Sequence, residues 1–133
     1  MEYYSMSLSW WFSDLVFNGC FSSILHDRLA GELVKARLMK SSKQFDKALE
    51  VIDNTLHRLP NHPEALLLKA QILWEGYDNY PAAKACLQKV IQKKKFKDEQ
   101  DEIIYRWSMN LLNEMRQAKR IQHARARKDR GQG

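Results

Sequence analysis

One stretch of this chain occurs twice. Phe45-Asp-Lys-Ala48 aligns with Tyr80-Pro-Ala-Ala83, and the apolar residues that follow, Ile52 and Leu56, align with Leu87 and Ile91 at the same period of 35 residues. A period of that length marks stacked supersecondary units, each burying its apolar face only against its neighbours. Between about Asp27 and Glu114 the apolar spacing is helical throughout, with short breaks and no strand-like alternation.

The expected helices follow from those breaks. The first runs from about Asp27 to Lys40, with Leu29, Leu33, Ala36 and Met39 on one face, and Ser41 and Ser42 end it. The second runs from about Gln44 to Arg58, with Phe45, Ala48, Leu49, Ile52 and Leu56 as its apolar stripe. Pro60 cannot extend that helix, whereas Pro63 stands where a first-turn proline costs nothing, so a third helix is expected from Pro63 to about Glu75. Gly76 to Asn79 reads as a loop and Tyr80 to about Lys95 as a fourth helix. The last begins at Asp98, where Glu99, Asp101 and Glu102 suit the positive end of a helix dipole.

Two helix hairpins in series with this spacing resemble the tetratricopeptide repeat family, whose unit is about 34 residues of helix, turn, helix. In the first unit Ala36, Phe45, Ala48 and Pro60 take the family's small, aromatic, alanine and closing-proline places, and in the second Ala70, Tyr80 and Ala83 do so. Small residues belong there because two helices approach closely only where a side chain is little more than a methyl group. Glu32 and Lys35 depart from the pattern by standing where large apolar residues are usual, and Lys95 replaces a closing proline. The resemblance covers roughly residues 29–96. It implies an all-α stack closed by a long C-terminal capping helix over 98–115, with Ile103, Ile104, Trp107, Leu111, Leu112 and Met115 as the covering face.

The resemblance also implies a binding scaffold rather than a catalyst, with a groove lined by first-helix positions. In this sequence those are Leu33, Arg37 and Lys40 in the first unit and Leu67, Gln71 and Trp74 in the second. The residues themselves point the same way. His26, His57, His62, His123, Cys20 and Cys86 are scattered, with no nucleophile–base or metal-ligand spacing, and no Gly-rich loop is present to cradle phosphate. Neither an enzymatic activity, a cofactor nor a metal is therefore expected, and two distant cysteines suit a reducing compartment.

The net charge of +6 is unevenly placed. Residues 116–133 carry Arg116, Lys119, Arg120, Arg125, Arg127, Lys128 and Arg130 against Asp129 alone, while 15 Lys/Arg balance 15 Asp/Glu in the rest. This basic tail either extends the last helix or trails from it. Helical spacing would set several cations on one face able to meet the phosphates of lipid or nucleic acid, and a merely solvated tail is the plain alternative.

The opposite end is apolar. Seven of the chain's fourteen aromatic residues precede Ser22, and from Met6 to Leu25 the only charge is Asp14. Trp10, Trp11, Phe12, Phe17 and Phe21 give this segment, taken as residues 1–26, more apolar surface than two small repeats can cover. Three uses remain open: a membrane-associated helix or marginal span, burial in a partner, or an extra helix on the repeats. Aromatic residues suit the headgroup region, whereas Asp14 near the middle costs about 2.5–3.5 kcal/mol in a lone span. In the membrane reading, Arg28, Lys35, Arg37 and Lys40, which follow the segment, would leave the repeats on the cytoplasmic side. No Lys or Arg precedes it, so a cleaved leader is not expected.

The expected protein is a scaffold or accessory subunit of a membrane-associated complex: an apolar segment over 1–26, a repeat domain over 27–115 and a basic tail over 116–133. The alternatives are a nucleic-acid-associated protein using the tail and a peptide-binding adaptor using the groove.

Overall fold

The computed structural model describes residues 20–93 and 95–131, and of 20–27 only the backbone. The described residues form five helices and no strand: α1 (Cys20–Ser41), α2 (Phe45–Arg58), α3 (Pro63–Tyr77), α4 (Tyr80–Ile91) and α5 (Glu99–Asp129). Trp10, Trp11, Phe12 and Phe17, expected to serve attachment, lie outside the described residues, as does the side chain of Phe21.

Several helix ends have a local reason. The reversal between α1 and α2 uses Lys43 at φ 60, and that between α3 and α4 uses Asp78 at φ 49. Pro63 opens α3, where the His62 ring supplies the acceptor that the first turn lacks, Ala65 N–H donating to Nδ1 at 3.2 Å. Asn79 caps α4 in the same way, taking the Ala82 N–H at 3.3 Å. Asp98 caps α5, accepting the Asp101 N–H at 2.9 Å, and Glu99, Asp101 and Glu102 fill the first turn as expected.

Three boundaries differ from the sequence expectation, and at the tail one of two open alternatives is found. α1 begins at Cys20, not Asp27, so the helix runs back into the apolar segment. α3 continues to Tyr77 through Gly76, a residue kept small by packing: a Cβ there would lie 2.5 Å from Cγ of Phe45. α4 ends at Ile91, just after its last buried residue, Val90. α5 carries the basic tail to Asp129 as helix.

The helices pack as two hairpins, α1 on α2 and α3 on α4, followed by α5. α3 is the centre. Its Ala65, Leu68 and Ile72 pack with Leu33, Ala36, Ala48 and Ile52, while Leu66, Leu67, Ala70 and Leu73 pack with Ala83, Leu87, Val90, Ile104, Leu112 and Met115. Leu49 and Leu56 border both clusters. Ala36, Ala48, Ala70 and Ala83 are all fully buried, which is what close approach within and between hairpins needs.

One expectation about side chains is corrected and one departure from the repeat pattern is explained. Trp107 is 55% exposed and does not help to close the stack; α5 covers it with Ile104, Ser108, Leu112 and Met115. α5 has neighbours on one side only, so Trp107 is left outside, while Leu111 on the same line is half-buried against the core. Glu32, in a place usual for a large apolar residue, accepts from Thr55 Oγ1 at 2.9 Å and from Arg58 at 2.5 Å. Thr55 is itself buried, so a polar pair replaces an apolar contact there.

Candidate interaction surface

The odd-numbered helices form one layer. α1 touches α3 and α3 touches α5, whereas α2 and α4 do not touch each other. A layer whose members meet, backed by one whose members are splayed, is the inner side of a curved stack.

On that inner layer a polar band crosses from α1 to α3. Arg37 pairs with Glu64. Lys40 Nζ, half-buried, donates to Gln71 Oε1 at 3.1 Å and lies 3.3 Å from Glu75 Oε2. Further along α3 the indole of Trp74 meets the Tyr80 ring edge-on at 6.3 Å between centroids. The band then reaches α5, where Lys119 Nζ stands 5.9 Å from the Trp74 ring centre and 6.0 Å from that of Tyr80.

The structure therefore joins four of the six expected groove residues, Arg37, Lys40, Gln71 and Trp74, into one line. Leu33 and Leu67 do not belong to it. Both are buried, Leu33 in the cluster against α2 and Leu67 in the cluster against α4 and α5, because they lie on the face of each first helix turned toward its own hairpin partner. Sequence reasoning missed Glu64 and Glu75 as part of the line, and it assigned Lys119 to the tail alone. The opposite charges on successive first helices were the signal available for the acids. Chemically, the band offers amide and cationic donors, carboxylate acceptors and one half-buried indole, a set that suits an extended peptide or a partner helix.

Electrostatics inside the stack are local. Burial raises the Asp101 carboxyl, but the Lys93 ammonium at 2.9 Å and the Lys97 N–H at 3.1 Å outweigh it and hold the group below the usual aspartate range. Burial likewise raises Glu32, and the bonds from Arg58 and Thr55 with the Arg58 and Arg28 charges bring it below its ordinary value. Burial pushes the Cys86 thiol up, which keeps it protonated and unreactive. Among the described residues no group of three or more His, Cys, Asp and Glu is placed to hold a metal ion.

The basic tail is the second surface. α5 has 31 residues and so extends about 46 Å, and its last buried residue is Met115. From Arg120 to Asp129 every residue is exposed except the half-buried Ala126. Arg116, Lys119, Arg120, His123, Arg127 and Arg130 fall on one side of this projecting helix, with Arg125 and Lys128 on the other. Arg37, Lys40, Arg58, Lys69, Lys93 and Arg106 are ion-paired within the stack, whereas among the described residues no acid pairs with the tail's cations.

An all-α stack of helix hairpins with one long terminal helix is the class that fold and surface define. Comparison with protein-family models, with curated proteins and with solved structures finds no match to this chain. Among the described residues no helix is long and apolar enough to cross a membrane.

Proposed function

We propose that this protein is a non-catalytic interaction scaffold of the tetratricopeptide kind, an accessory subunit that holds a protein partner on the inner layer of its stack. The observation that carries this reading is the band of contacts Arg37–Glu64, Lys40–Gln71–Glu75 and Trp74–Lys119, laid across α1, α3 and α5. The complex is a membrane-associated one, reached through residues 3–25. Trp10, Trp11, Phe12, Phe17 and Phe21 enter the membrane boundary or a membrane subunit, and Arg28, Lys35, Arg37 and Lys40 keep the stack on the cytoplasmic side.

Affinity capture of the full chain in mild detergent tests the band. A partner retained by the parent chain and lost with Trp74→Ala supports the reading, and an identical retained set with that variant counts against it. Cell fractionation tests the attachment. If the full chain and one lacking residues 1–25 are equally soluble and monomeric, residues 3–25 are not an anchor.

A second reading is favoured by the uncompensated cations of α5. A projecting helix with Arg116, Lys119, Arg120, Arg127 and Arg130 on one side can follow a phosphate backbone, which makes a nucleic-acid-associated protein the alternative. Tight RNA binding that weakens steeply across a salt series would select it over the scaffold.

A further inference from the structure

α1 and α3 hold equivalent places in successive hairpins. Each presents a fully buried alanine to its hairpin partner, Ala36 in α1 and Ala70 in α3, and at this offset of 34 residues Leu33 corresponds to Leu67, both buried. On the other side of the two helices the correspondence breaks. In α3, Ala65, Leu68 and Ile72 are 0%, 3% and 0% exposed, packed with Ala48 and Ile52 of α2, the helix that comes before. Their counterparts in α1 are Gly31, Val34 and Leu38. Val34 is 42% and Leu38 64% exposed, and a Cβ on Gly31 would meet nothing within 4 Å.

α1 thus carries the same face, one small residue and two large apolar ones, with which α3 receives the preceding helix. Among the described residues nothing covers it. We propose that residues 3–18 of the chain itself seat on this face, taking at α1 the place that α2 takes at α3.

Three observations select this occupant over a second copy or a separate protein. The segment joins α1 directly, since Gly19 is followed by Cys20, the first residue of the helix. A tethered ligand acts at an effective concentration of order mM, well above that of a free one. Its length suffices, because Val34 lies about 21 Å along α1 from Cys20 and 16 residues reach about 24 Å even if wholly helical. Its chemistry fits as well: Trp10, Trp11, Phe12 and Phe17 need cover from water, and Gly31, without a side chain, leaves space for a ring beside Val34.

The docking stands on the geometry of α1 and does not rest on membrane attachment, yet it bears on it. The same aromatic residues cannot cover α1 and enter a membrane at once, so the α1 face competes with attachment. In water the segment is seated; attachment draws it off and leaves Val34 and Leu38 bare.

Hydrogen–deuterium exchange on the full chain, without lipid or detergent, tests the docking. The parent chain is compared with Val34→Asp and the milder Leu38→Ser, both at exposed positions. Amides within residues 3–18 are expected to exchange at least about tenfold more slowly than in an unstructured chain. Both substitutions should abolish that protection while α3 and α4 keep theirs, and tenfold dilution should leave it unchanged. The proposal is overturned by a segment unprotected in the parent chain, or by protection that survives both substitutions. Protection that falls on dilution also overturns it, because it gives the face to a second copy. Failure of docking would leave the fractionation result untouched, so the two ideas fail separately.

Discussion

Gly76 and Asp101 hold the stack together in ways that depend on single atoms. Gly76 lies inside α3 because Phe45, 31 residues earlier, fills the space where its Cβ would stand. Gly76→Ala should cost about 1–3 kcal/mol by forcing that ring aside, despite alanine's better helix propensity, and thermal melting of the variant checks this. The same glycine shows what a linear reading loses. Gly76 was expected to break the helix, and nothing near it in sequence reports a ring arriving from the other hairpin. Ala48 and Ala83 were legible because the 35-residue repeat displays them twice. Asp101 supports a prediction about pH. Its carboxyl titrates below its unfolded value, so its contribution is complete above the ordinary aspartate range and is lost as pH falls through the lower folded value. Asp101→Asn should therefore destabilise the protein by about 1 kcal/mol at neutral pH and by progressively less as the pH is lowered through the folded value. Denaturant melts of both chains across that range would refute it if the difference were constant.

At the scale of elements, α5 is where sequence and structure part most. Ile103, Trp107 and Leu111 recur at helical spacing as regularly as Ile104, Ser108, Leu112 and Met115 do, and the sequence assigns apolar residues of both lines to the covering face, of which Trp107 alone is exposed. Ser108, which belongs to the buried line, gives no apolar signal in the sequence. Ser108 is tolerated because its hydroxyl bonds to the Ile104 carbonyl at 2.8 Å, and its small size lets α5 come close to its neighbours. Replacement should separate the two lines clearly. Leu112→Ala is expected to cost about 2–5 kcal/mol, whereas Trp107→Ser should stay within about 0.5 kcal/mol of the parent chain. Equal losses in chemical denaturation would mean that α5 packs by the other face. The start of α5 was better foretold, since Asp98 and the acids after it are local signals that need no tertiary partner.

Over the whole molecule, stability and charge are divided along the chain. The stack holds six of its cations in ion pairs and its apolar side chains in two clusters sharing α3, while the last ten residues of α5 carry charge and almost no packing. The split was visible in composition, but composition could not say whether the tail was helical. Helix beyond Lys119 persists in spite of like charges three and four residues apart, helped by cations lying near the negative end of the helix dipole. Ending the chain after Lys119 should therefore leave the melting transition within about 0.5 kcal/mol of the full chain, because no buried side chain is removed. Ending it after Glu114 removes Met115, which is fully buried, and Lys119 from the Trp74 and Tyr80 rings, so a loss of about 2–5 kcal/mol is expected. The first truncation also deletes Arg120, Arg125, Arg127, Lys128 and Arg130, and elution from a phosphate-bearing resin should move to much lower salt. A chain that melts as before but elutes unchanged would place the anion-binding charge on the stack rather than on the projecting helix.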